Sequence, residues 1–166
     1  MATAALVLRG SCTGAPPDAK PAPQGKGGAP ASVGPRAERT EGLAAYRAMW
    51  HDFAEASKTS DAASATLRDH ATSGALALMK YGLRRAKQDN VISKGVPRVA
   101  PEIISATGQE IHLRDCVDST KWLQYKLNGE LKNDVPGGHS KADATVKRLG
   151  ETWKVTQLYL HEAGSC

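Results

Sequence analysis

The spacing of apolar residues changes near Asn90, and that change constrains the fold more than any other feature of the chain. Before it, Leu43, Tyr46, Trp50, Phe53 and Ala54 recur every three or four residues, which predicts an amphipathic helix over 41–57 with Thr40 as its N-cap. A Ser/Thr/Asp-rich break at 57–61 leads to a second helical region, whose stripe of Ala75, Leu78, Met79, Gly82, Leu83 and Ala86 ends near Asn90. Thr72 to Gly74 is where this region would divide into a short helix and a longer one. Arg84, Arg85 and Lys87 then fall at a helix C-terminus, where cations complement the dipole. Beyond Asn90 the period is two, with strands expected over 99–106, 109–118, 121–127, 142–149 and 152–161. Turns fit at Thr107-Gly108, Asn128-Gly129 and Gly150-Glu151, and Pro97 and Pro101 suit an edge or entry segment. Helices followed by a five-strand antiparallel meander predict an α+β domain in which a curved sheet wraps against helices. Alternation puts Ile111, Leu113, Asp115 and Val117 on one face of their strand, and Trp153, Val155 and Tyr159 on one face of theirs.

The chain of 166 residues suits one such domain, over 41–166, with an extension in front of it. Residues 13–40 hold six Pro and five Gly and almost nothing large and apolar, a composition that predicts a disordered tether. Residues 1–12 resemble the end of a bacterial lipoprotein signal, with Cys12 as the residue that would receive lipid. Arg9 and the short apolar run depart from that pattern, so Met1 would fall inside a longer signal or Cys12 is an incidental cysteine. No apolar run approaches the roughly 20 residues of a membrane-spanning helix. The net charge of +5 is uneven: residues 1–40 carry five Lys/Arg against two Asp/Glu, the remainder 17 against 15. With the excess in the tail and no basic stripe in the body, nucleic acid is not an expected partner.

Few residues point to chemistry. The histidines form no triad spacing, and phosphate-loop, nucleophile-elbow and zinc-helix motifs are absent, so neither a metal nor a cofactor is expected. Asp115 stands out because alternation turns it toward an apolar face, where an unpaired carboxylate would be desolvated. Tyr46, Tyr125, Tyr159 and His112 are its conceivable donors, with His112 on the opposite face; the simpler alternative pairs Asp115 with Arg114, Lys121 or backbone near a strand end. Trp50, Phe53, Trp122, Trp153 and Tyr159 read as core, and Asp115, Tyr46, Trp50 and Tyr159 are the residues that could line a pocket. Cys116 and Cys166 either form a disulfide, needing α-carbons about 4.4 to 6.8 Å apart, or remain two free thiols. A disulfide would place the domain in an oxidising compartment.

Six stretches carry a resemblance: Ala45-Tyr46-Arg47-Ala48-Met49-Trp50, Ser93-Lys94-Gly95-Val96-Pro97, Asp115-Cys116-Val117-Asp118, Asp134-Val135-Pro136-Gly137-Gly138, Thr152-Trp153-Lys154-Val155 and Gly164-Ser165-Cys166. Through them the body resembles secreted proteins and lipoproteins of actinobacteria whose fold is like that of nuclear transport factor two. The resemblance implies helices packed in the concave face of a bent antiparallel sheet, as a cone with an open mouth. It implies no activity. The resulting expectation is a secreted or cell-envelope, non-enzymatic module that binds a protein or small ligand and meets a membrane only through a lipid anchor. The alternative is a small enzyme of the isomerase, dehydratase or cyclase kind using Asp115.

Overall fold

A computed structural model describes residues 34–135 and 137–166. Three helices, α1 (Pro35–Ser57), α2 (Leu67–His70) and α3 (Ser73–Gln88), precede six strands: β1 (Val91–Lys94), β2 (Glu102–Ala106), β3 (Glu110–Asp118), β4 (Leu123–Lys126), β5 (His139–Leu149) and β6 (Thr152–Ala163). The α+β order, the division near Thr72 and the return of the chain at Asn128-Gly129 follow the periodicity of the sequence.

Helix α1 starts six residues before the expected position, at Pro35 and not at 41. Its N-cap is Gly34 with a proline opening the first turn, so residues 35–40 belong to the helix and not to a tether. Thr40 is an interior residue whose hydroxyl donates to the Arg36 carbonyl, not a cap. Two interactions favour the extra turns: Glu38 lies in the first turn beside the helix dipole, and Arg148 approaches it at 3.8 Å.

The main sheet has the order β2-β3-β5-β6, all antiparallel. The expected five-strand meander is therefore corrected in one place. β4 leaves the sheet and pairs with β1, a strand the sequence reading missed, in a separate two-stranded ribbon. β3 runs directly against β5 through nine partners, from Glu110↔Lys147 to Asp118↔His139. The excursion between them is pinched at its neck: the Ser119 N–H donates to the Gly138 carbonyl at 2.9 Å, and a side chain at Gly137 would overlap the Ser119 carbonyl. Asp118 reinforces the neck, accepting from Arg98 through one carboxylate oxygen and from the Thr120 N–H and hydroxyl through the other. These bonds, Thr120 foremost, hold the Asp118 carboxyl well below the usual carboxylate range.

The helices lie on one face of the main sheet. Tyr46, Met49 and Trp50 from α1, Leu67 from α2, and Ala75, Met79 and Leu83 from α3 meet Ile111, Leu113 and Val117 from β3, Val146 from β5 and Trp153 and Val155 from β6. β3 alternates as expected. β6 does not, because Val146 pairs with Val155 while Thr145 pairs with Gln157, leaving Thr156 as an extra residue. This bulge buries Val155 and Thr156 in succession and reverses the faces beyond them. Leu158 turns inward, and Tyr159, expected on the face of Trp153 and Val155, is 64% exposed.

Candidate functional site

Three side chains of the cone interior combine deep burial with unspent hydrogen-bonding capacity. Tyr46 and Trp50 follow one another by a turn on the inward face of α1, and Asp115 stands between Leu113 and Val117 on the inward face of β3. All three are buried. The Ala100 N–H donates to Asp115 Oδ1 at 2.9 Å, which satisfies half of the carboxylate. Asp115 Oδ2, the Tyr46 hydroxyl and Trp50 Nε1 are shielded from solvent with no hydrogen-bond partner.

The Tyr46 hydroxyl lies within hydrogen-bonding reach of both the Trp50 indole and the Asp115 carboxylate, although none of these contacts has the geometry of a well-formed hydrogen bond. Burial above all, then the adjacent Asp115 charge, pushes the Tyr46 phenol far above its ordinary ionisation range, while the Trp50 indole works in the other direction. Tyr46 is therefore a neutral hydroxyl, able to donate one hydrogen bond and accept others, across the physiological pH range. Trp50 can only donate and an ionised Asp115 can only accept. The other indoles of the core differ from Trp50 here: Trp122 Nε1 donates to Ser57 Oγ at 3.2 Å and Trp153 Nε1 to Glu41 Oε2 at 3.2 Å. An aromatic wall flanks the trio, with Trp50 edge-on to Trp122 at 6.3 Å between centroids and Phe53 against Trp122 at 5.3 Å.

Of the residues the sequence singled out for a pocket, the fold brings together Asp115, Tyr46 and Trp50. Tyr159 lies on the outer face, edge-on to His161 at 4.6 Å, and has no part in the interior. Tyr125 is on the β1–β4 ribbon and His112 on the outer face, as alternation implied. Arg114 pairs with Asp143 at 2.9 Å instead of Asp115. The backbone partner of Asp115 comes from Ala100, in the segment leading into β2, a contact between residues 15 apart that no local pattern announces.

Cys116 and Cys166 sit on the opposite, outer face of the sheet. Their sulfurs are at bonding distance and their α-carbons 6.0 Å apart. Cys116 is paired across the ladder with Lys141, whose N–H donates to Ser165 Oγ at 2.8 Å, so the last residues fold back over β5 to reach β3. A shallow depression of about 250 Å³ opens beside the two cysteines, bordered by Arg114, Glu102, Lys141 and Asp115. Cys12 lies outside the described residues. Among the described residues no cluster of three or more His, Cys, Asp or Glu could hold a metal ion, and no helix is long and apolar enough to cross a membrane.

No protein-family model and no curated protein matches the sequence. Solved structures do resemble the fold. A candidate aromatic ring hydroxylase from Novosphingobium aromaticivorans superposes with a TM-score of 0.51 at 13% identity, over 73% of this chain and 88% of that one. A candidate scytalone dehydratase from the same organism gives a TM-score of 0.41 at 14% identity, over 75% and 87% of the two chains. The domain thus has the cone fold of nuclear transport factor two and its structural relatives.

Proposed function

We propose that this domain is a non-enzymatic binding module of the cell exterior, and that it holds a small hydroxyl-bearing guest inside the cone between Tyr46, Trp50 and Asp115. The observation that carries the reading is the set of three buried polar atoms that face one another without a well-formed hydrogen bond. Each such atom left unpaired costs about 1 to 3 kcal/mol, so a guest that satisfies all three recovers several. One hydroxyl group does so: it donates to Asp115 Oδ2 and accepts from Trp50 Nε1 and Tyr46. The exterior location is supported by the cysteine pair, since such bonds persist in oxidising compartments.

A second reading is favoured by the same geometry. A phenol kept protonated beside a carboxylate is a donor–base pair: Tyr46 would hydrogen-bond a substrate oxygen while Asp115 takes a proton, as an isomerase or dehydratase requires.

Both readings meet one experiment. The purified protein is screened by thermal shift against small alcohols and phenols, beside the Asp115→Asn and Tyr46→Phe proteins. The binding reading expects hydroxylated compounds that raise the melting temperature of the parent protein and lose that effect in both variants, with the compound recovered unchanged. Hits that act equally on parent and variants overturn both readings, as does a screen without hits. A hit recovered chemically altered by the parent, and intact with Asp115→Asn, replaces the binding module with the enzyme.

A further inference from the structure

The charge of the folded domain is concentrated at one end. β1 and β4 form a ribbon that Leu131 extends by bridging to Tyr125. In β1, Val91 and Ser93 are buried against the helices, while Lys126 and Gln124 opposite them in β4 are exposed. The other side of the ribbon carries Ile92, Lys94, Leu123, Tyr125 and Leu131, because residues opposite one another in an antiparallel pair share a face. Lys94 lies over the Tyr125 ring at 4.5 Å. At the hairpin tip Leu127 is 68% exposed and Leu131 43%, with Val135 just beyond at 71%.

Lys126, Lys132 and the end of α3 bring cations beside this apolar tip. Lys132 approaches Asp89 at 3.7 Å, beside the C-terminal end of α3 with its Arg84, Arg85 and Lys87. Lys126 and Glu130 pair at 3.3 Å across the hairpin turn, and the Lys121 carbonyl backs onto Gly95 at the far end of the ribbon. Segments 84–94 and 121–135 together hold seven Lys/Arg against three Asp/Glu, or four with Asp61, which shares a depression with Arg84 and Lys87. In the rest of 34–166 twelve basic residues balance twelve acidic ones. The surface ion pairs here leave the cations available, since exposed pairs are weak.

We propose that this end of the domain docks on an anionic lipid surface, with Leu127 and Leu131 entering the headgroup layer and Lys126, Lys132 and the α3 cations facing lipid phosphates. Lipid fits the chemistry better than nucleic acid, because a phosphate backbone offers nothing to an exposed leucine tip, whereas a bilayer supplies both anionic groups and acyl chains. The surface is separate from the Tyr46–Trp50–Asp115 site, and docking does not depend on what that site binds.

The test is co-sedimentation of the full chain, carrying Cys12→Ser to exclude any attached lipid, with vesicles of phosphatidylglycerol and phosphatidylcholine or of phosphatidylcholine alone. Binding to the anionic vesicles only is expected, weakening as salt rises from roughly 50 to roughly 300 mM. Lys126→Glu is expected to lower affinity at least about fivefold, the value of a single cation near such a surface, and Leu127→Asp about tenfold or more, as loss of an inserted leucine implies. Circular dichroism confirms that both variants stay folded, since each altered side chain is exposed. The proposal is overturned by equal binding to neutral and anionic vesicles, by no binding to either, or by full binding of Leu127→Asp. It is equally overturned if replacing Lys20 and Lys26 of the N-terminal segment abolishes binding, or if the hairpin captures a protein while ignoring vesicles.

Discussion

Replacing Cys166 by serine removes the covalent link between the end of β6 and the middle of the main sheet, and its cost follows from the length of chain the link closes. The two cysteines are 50 residues apart in sequence. In the chain-entropy account, opening a loop of that length returns freedom to the unfolded ensemble worth about 4 kcal/mol at 25 °C. The unfolding entropy of a domain of this size is near 2.1 cal/mol/K per residue, so the same change lowers the melting temperature by about 14 °C. The native partners of the closing segment are few: the Gly164 N–H donates to the His139 carbonyl at 2.7 Å and the Lys141 N–H to Ser165 Oγ at 2.8 Å. The substitution therefore loosens the last three residues and leaves the core of β6, from Trp153 to Leu158, in place. Thermal unfolding followed by circular dichroism checks this, run on the parent with and without reductant and on Cys166→Ser, Cys116→Ser and the double variant. Reductant should move the parent to the melting temperature of the variants and leave the variants unchanged. If parent and variants melt within about 3 °C of each other, or if thiol titration of the unreduced parent finds both sulfurs free, the reasoning fails.

Two further outcomes follow from local geometry. Gly95 has φ near +91°, and a β-carbon there would overlap the Lys121 carbonyl, so Gly95→Ala should destabilise by about 1 to 3 kcal/mol in a urea titration; an unchanged midpoint refutes the ribbon packing. Asp118 and Asp143 both have depressed carboxyl ionisation in the folded state, caused first by Thr120 and first by His161 respectively. Depressed groups contribute stability above the unfolded carboxyl range of about 4, and that contribution is lost as pH falls below it. The urea midpoint should therefore drop between roughly pH 4 and pH 2, and drop less for Asp118→Asn; an identical acid profile for the variant sinks this assignment.

The interior site was half legible. Helical spacing put Tyr46 and Trp50 on the buried stripe of α1, and alternation put Asp115 on the buried face of β3, because each pattern reports which side of a single element avoids water. Neither pattern carries information about which residues of two different elements come together. That Tyr46, Trp50 and Asp115 share one shielded region, and that only Oδ1 of Asp115 is taken by the Ala100 N–H, depend on how α1 lies across the sheet and where the chain enters β2. Tyr159 shows the opposite error. Its alternation within β6 is regular, yet the extra residue at Thr156 is created by pairing with β5 and turns Leu158 inward and Tyr159 outward.

Local chemistry along the chain was enough to determine the order of helices before strands, five of the six strands, the turn at Asn128-Gly129 and the inward face of β3, since each depends on neighbours a few residues away. Tertiary structure alone decided that β4 joins β1 outside the main sheet, that Tyr46, Trp50 and Asp115 converge in one shielded region, and that α3 and the β4 hairpin pool their cations beside exposed leucines. Those outcomes rest on contacts between distant segments, and their energies depend on distance in space, which separation along the chain does not encode.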